Sequence, residues 1–142
     1  MRDSAVTARI MSAVRGKETV PERLLRSELW RRGLRFRKNV SCLPGKPDVL
    51  FPSARVVVFV DGDFWHGKGW RERGFTSFEA QFESHRDPEF WRAKIARNVA
   101  RDRQVNRLLR AEGWTVVRVL ESAIRRDVTA AADKVERALH RL

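Results

Sequence analysis

The run Arg55-Val-Val-Val-Phe-Val60 is apolar at five consecutive positions, so both faces of the strand it forms must be covered. Such a strand sits centrally in a sheet between two layers, and this one ends abruptly at Asp61-Gly62-Asp63. Just upstream, Asp48-Val-Leu-Phe51 reads as a second strand, and Pro52-Ser53-Ala54 is a spacer short enough for an antiparallel hairpin. Thr115 to Leu120 is a further strand. Before it, Pro88 opens a long helix to about Glu112, stopped by Gly113, with Trp91, Ile95, Val99, Val105 and Leu109 as its apolar stripe. Asp127 caps a last helix carrying Val128, Ala131, Val135 and Leu139. The fold class expected is α/β, a sandwich with a mixed central β-sheet flanked by helices on both faces.

Toward the N-terminus, Ser4 to Val14 reads as a short helix. Residues 1–142 are expected to form one domain, with 1–18 as an N-terminal helical arm. Thr19 is an N-cap, Pro21 and Glu22 fill the first turn that follows, and Gly33 suits the position after the helix end. Leu25 and Leu29 put Glu22 on their apolar face. An acid answering the positive helix terminus explains its type but not its side, so a functional reading stands beside the structural one. Leu34-Arg-Phe36-Arg alternates like a half-buried strand, and a turn-rich connection runs from Ser41 to Pro47. From Gly67 to Asp87 the chain is irregular, with Thr76 and Glu79 at capping-box spacing for one or two helical turns.

Charge narrows the partner. There are 30 Lys and Arg against 18 Asp and Glu, a formal +12, which favours polyanions through counterion release. Nucleic acid leads, with a membrane surface or ribosomal packing as other uses of such charge. No apolar stretch is long enough for a spanning helix or a secretory signal, and the single Cys42 excludes an internal disulfide or a cysteine-rich metal cluster. A cytoplasmic protein, held at the nucleoid through DNA and without membrane contact, is expected.

The chemistry concentrates where strands meet. In a hairpin the start of one strand lies beside the end of the other, so Asp48 and Asp61 should face each other at one rim. Closely placed carboxylates repel, and a bound divalent cation resolves this, with oxygen ligands favouring magnesium or manganese. The bland alternative for Asp61 and Asp63 is a turn, since Asp-Gly suits one for conformational reasons alone. Asp102 lies on the apolar stripe of the long helix, where it needs a partner. That partner is either an arginine, in a structural ion pair, or His66, which a carboxylate would orient as a general base. Phe64-Trp65 either anchors its loop in the core or wedges between base pairs, and Phe90-Trp91 has the same two readings.

Several of these pieces, TVPERL at Thr19, LPGKPD at Leu43, VVVFVDGDFWHG at Val56, EFWRAKIARNVARDR at Glu89 and EGWTVVRVLESAI at Glu112, resemble the very-short-patch repair endonucleases (Vsr family). The resemblance spans nearly the whole chain and implies a restriction-endonuclease-like core. It implies a Mg²⁺- or Mn²⁺-dependent endonuclease that nicks double-stranded DNA at a T:G mismatch, working as a monomer on DNA. By the same resemblance Asp48 is the central metal-binding aspartate and the Val60 carbonyl a further ligand. His66 is the catalytic histidine supported by Asp102, and Glu22 and Asn98 hold waters of the metal's shell. Phe64, Trp65 and Trp91 are the aromatics inserted beside the mispair. Asp61 stands where the family has a second active-site histidine, and an acid there is expected to join Asp48 as a metal ligand. The family's structural-zinc positions are filled by Asp63, Lys68, Trp70 and Ser122, so no structural zinc is expected, and the segment Trp70 to Phe82 should pack in its place. Two alternatives remain beside this reading: a restriction-like nuclease of other DNA specificity, and a non-cleaving binder of distorted duplex.

Overall fold

The computed structural model describes residues 19–38, 40–63, 73–77, 79–82 and 87–140. The helix expected over Ser4 to Val14 lies outside these described residues. Helix α1 (Val20–Arg31) starts as its sequence dictates: the Thr19 hydroxyl accepts the Glu22 N–H at 3.3 Å, and Pro21 sits in the first turn. Its end is set by Gly33, whose φ of 84° turns the chain so that the Leu34 N–H reaches back to the Leu29 carbonyl at 3.1 Å. That closure ties Leu34 to the helix end, and strand β1 is confined to Arg37–Lys38, later and shorter than the alternation at Leu34 predicts.

Strands β2 (Val49–Phe51) and β3 (Val56–Asp61) form the expected antiparallel hairpin, with Leu50 opposite Val57. The crossover helix α2 (Pro88–Ala111) then leads to β4 (Thr115–Leu120), parallel to β3 and in register from Val56 with Thr115 to Asp61 with Leu120. Among the described residues the four strands run in the order β1-β2-β3-β4, so the apolar run is internal and β4 lies at an edge. A short helix α3 (Glu121–Arg126) follows β4 without a loop, an element the sequence reading did not separate. Helix α4 (Val128–Leu139) begins at Asp127, whose carboxylate accepts the Ala130 N–H at 3.0 Å.

Strand alternation divides the core into two layers. On one face Val49, Phe51, Val56, Val58, Val117 and Val119 pack with Leu25 and Leu29 of α1, Ile124 of α3 and Val135 of α4. On the other, Leu50, Val57 and Phe59 meet Val105 and Leu109 of α2. The mixed sheet covered on both faces is the α/β architecture expected. Arg32 ties α1 to α4, donating to Asp133 at 2.9 Å and Glu136 at 3.0 Å.

Two local features bear on the site. The turn before β2 contains Gly45 at φ 76°, and a Cβ there would stand 2.7 Å from Val105, so α2 presses directly on the turn that delivers Asp48. Within the segment expected from Trp70 to Phe82, residues Glu79–Phe82 form one 3₁₀ turn. Ser77, rather than Thr76, caps it by accepting the Ala80 N–H at 3.1 Å, and Phe82 is buried. Among the described residues no helix is long and apolar enough to cross a membrane.

Candidate active site at the rim of the sheet

Asp48 precedes β2 by one residue, and its N–H donates to the Val58 carbonyl at 3.0 Å, extending the ladder. Its Oδ2 accepts the Val60 N–H at 2.7 Å, which fixes the start of β2 beside the end of β3. In an extended strand a residue's N–H and C=O share one edge, so the Val60 carbonyl also faces the Asp48 side. Glu22 reaches the same place from α1. It is 7% exposed, on the face it shares with Leu25 and Leu29, and its Oε2 lies 3.4 Å from Arg26 Nη1.

The electrostatics follow from this crowding. Burial pushes the Asp48 carboxyl from its ordinary value of 3.8 to about 7. The nearby Glu22 and Asp61 charges, and a hydrogen bond shared with Glu22, push the same way, and only the Val60 N–H opposes them. Without a cation, the Asp48 carboxyl is therefore held toward its protonated form.

Asp61 sits at the same rim, as the hairpin argument requires, but its carboxylate faces β4. It is 2% exposed, and both its oxygens accept from Arg118 Nη1, at 3.0 and 3.1 Å. The Arg118 guanidinium lies 4.2 Å over the Phe59 ring, donates from Nε to Asn106 of α2 at 2.9 Å, and stands 3.6 Å from Asp102. Asp102 thus faces the sheet from α2 with an arginine beside it. Sequence reasoning allowed for such an arginine without identifying it. The available signal was an arginine interrupting the apolar run Val116-Val117-Arg118-Val119.

Asp63 has a structural task. Its carboxylate accepts the Ser122 N–H at 3.2 Å and the Ser122 hydroxyl, capping α3. Asp63 and Ser122, two of the four positions considered for zinc, are therefore bonded to each other. Lys68 and Trp70, and the candidate site residues Phe64, Trp65 and His66, lie outside the described residues. Trp91 stands in the first turn of α2, edge-on to the exposed Phe90 at 5.5 Å, with the Lys94 ammonium 5.6 Å from its ring. Asn98, one turn before Asp102, accepts from Arg101 at 2.7 Å.

Glu22, Asp48, Val60 and Asp61 thus converge on one rim, and Asp102 joins through Arg118. Among the described residues no three His, Cys, Asp or Glu side chains gather in a metal-ligating group. The donor set is narrower: two adjacent carboxyl groups and a strand carbonyl. Magnesium, which binds through one or two carboxylates and keeps several waters, fits such a set, whereas an all-protein cage does not.

Comparison with known proteins bears on this geometry. The sequence profile described as DNA mismatch endonuclease Vsr matches residues 2–72. The type II nicking enzyme V.NmeDIP of Neisseria meningitidis serogroup C is 43% identical over 129 residues, covering 91% of this chain and 82% of that protein. The type II nicking enzyme V.XorIIP of Xanthomonas oryzae pv. oryzae is 44% identical over 107 residues, 75% of this chain and 73% of its own. The DNA mismatch endonuclease Vsr of Escherichia coli (strain K12) is 35% identical over 125 residues, 88% of this chain and 75% of that protein. With half the chain under the family profile and such relatives across most of its length, this chain belongs to the Vsr DNA mismatch endonuclease family and is a DNA endonuclease.

Proposed function

We propose that the protein nicks one strand of duplex DNA at a T:G mismatch, by metal-dependent hydrolysis at the Asp48 rim. The observation that carries the reading is the convergence of Asp48 and the buried Glu22 beside the end of β3, where the Asp48 carboxylate accepts the Val60 N–H at 2.7 Å and burial raises the Asp48 carboxyl to about 7. Two carboxyl groups buried side by side repel each other when both are ionised, and a bound cation relieves that repulsion. Relatives named as nicking enzymes and one named as a mismatch endonuclease support strand nicking and the mismatched substrate.

In this reading Asp48 and the Val60 carbonyl would hold a Mg²⁺ or Mn²⁺ ion, and Glu22 and Asn98 would hold waters of its shell. When bound, the ion would supply polarisation of the scissile phosphate and stabilisation of charge on the leaving oxygen. His66 takes the proton from the attacking water as its oxygen bonds to phosphorus and the bond from phosphorus to the departing sugar oxygen breaks. Asp102 holds His66 in orientation. Asp61 is an expected ligand whose carboxylate is engaged by Arg118, so its contribution is the charge it adds at the rim. Phe64, Trp65 and Trp91 wedge the duplex, an act that costs least where stacking is already poor. One catalytic rim cutting one strand suits a monomer on DNA.

The test is single-turnover nicking of a T:G duplex by Asp48→Asn and His66→Ala. Each is expected to lose about two to four orders of magnitude in rate while still binding the duplex. Wild-type rates in either variant remove that residue from the mechanism.

A further inference from the structure

At the open edge of β4, away from the hairpin, a cleft of about 500 Å³ runs between α2 and α4. Its walls carry Asn106 and Arg110 from α2, Arg118 from the strand, and Lys134 and Arg137 from α4. Among the described residues no acidic side chain lines it. Arg118 is neutralised by Asp61 and Asp102, but Arg110, Lys134 and Arg137 make no carboxylate contact among the described residues. The Lys134 ammonium instead donates to the Arg118 carbonyl at 2.7 Å, so the Arg118 main chain points out of the sheet into the cleft. In a strand the N–H shares that edge, and Val116, two residues earlier, presents its own N–H the same way.

Three uncompensated cations and outward backbone N–H groups in a concave, acid-free site form an anion seat. At roughly 30 Å³ per water, the cleft has room for a phosphodiester and several waters. We infer that this cleft binds a backbone phosphate of the DNA substrate outside the catalytic rim, with Arg110, Lys134 and Arg137 as the contacting cations. The argument for DNA as occupant is charge complementarity with the substrate class of the enzyme, and it rests on DNA binding alone, independent of metal or mismatch.

Two other uses of these charges predict different results. Arg110 and Arg137 stand in the last turns of α2 and α4, where cations answer the negative helix ends. Cations also guard an open strand edge against pairing with another chain.

The experiment measures metal-free binding of a fully matched duplex by fluorescence anisotropy between 50 and 200 mM salt, ~ranges in which phosphate contacts dominate. The variant is Lys134→Gln/Arg137→Gln. The charge-matched control is Arg35→Gln/Arg37→Gln, exposed near the opposite edge of the sheet. The cleft variant is expected to lose about tenfold in affinity, and its slope of log affinity against log salt should flatten by roughly 1–2. The control should change by less than about twofold. Equal losses in both variants overturn the site and leave only general charge. A lowered melting temperature, or self-association in sedimentation, with unchanged DNA affinity assigns the cations to the helix ends or the strand edge and overturns it too. Because no cleavage is measured, failure of the catalytic reading leaves this result intact.

Discussion

Binding of a divalent cation at the Asp48 rim should be steeply linked to pH, and the structure sets the size of the effect. Asp48 carries a proton up to about pH 7 because it is buried against Glu22 and near Asp61. A cation needs the ionised form, so the proton must leave as the ion enters. For a single group titrating near 7, about one tenth is ionised at pH 6 and about nine tenths at pH 8, so Mg²⁺ or Mn²⁺ affinity should rise about tenfold over that interval. Isothermal titration calorimetry in two buffers of different ionisation enthalpy reads both quantities. Close to one proton should be released per ion at pH 6 and about a tenth of one at pH 8. The sign for stability is the reverse. The folded carboxyl lies above its unfolded value of 3.8, so its favourable contribution is complete below that value and is lost as pH rises toward about 7. The metal-free protein should therefore weaken over that window, and added Mg²⁺ should restore stability most at the alkaline end. Affinity flat within about twofold from pH 6 to 8, with no proton release, would refute the reasoning, because Asp48 would then already be ionised in the free protein.

Other consequences are local. Arg118→Met leaves the Asp61 carboxylate buried without its cation and should cost about 3–5 kcal/mol in denaturant unfolding, while Asp61→Asn/Arg118→Met should recover part of the loss; additive losses would remove the pair from the account. Gly45→Ala forces a side chain onto positive φ and 2.7 Å from Val105, and should cost about 2–4 kcal/mol, eased when combined with Val105→Ala. Phe64→Ala/Trp65→Ala should lower preference for the T:G duplex over its T:A counterpart more than it lowers binding to either, and equal losses on both would mean the pair only anchors its loop.

Much of the frame was legible in residue order. The Thr19 cap, the Pro52-Ser53-Ala54 hairpin, the Pro88 start, the Gly113 stop and the Asp127 cap are local signals, and the structure uses each where it stands. The doubly apolar run correctly implied a central strand with layers on both faces. The placement of Asp48 and Asp61 at one rim followed from hairpin geometry, although the Asp61 carboxylate turns to Arg118 and does not face Asp48, and the burial of Glu22 followed from its spacing to Leu25 and Leu29. What escaped depended on distant partners. Alternation at Leu34 to Arg37 suggested a strand, but the Gly33 turn ties Leu34 back to Leu29 and delays β1. Asp63 could be read as a turn residue, yet its role is to cap α3 through Ser122, fifty-nine residues away. Asp61 was expected at a metal, and no local pattern could reveal that Arg118, fifty-seven residues on and across a parallel strand pair, would take its carboxylate.

The measurement that bears most directly on the central claim is nicking of a labelled duplex carrying one T:G mispair, beside its T:A control, each with Mg²⁺ or EDTA. The account predicts a single-strand nick next to the mispaired thymine, confined to the mismatched duplex and abolished by EDTA. Equal cutting of both duplexes, or a nick that persists in EDTA, would contradict it.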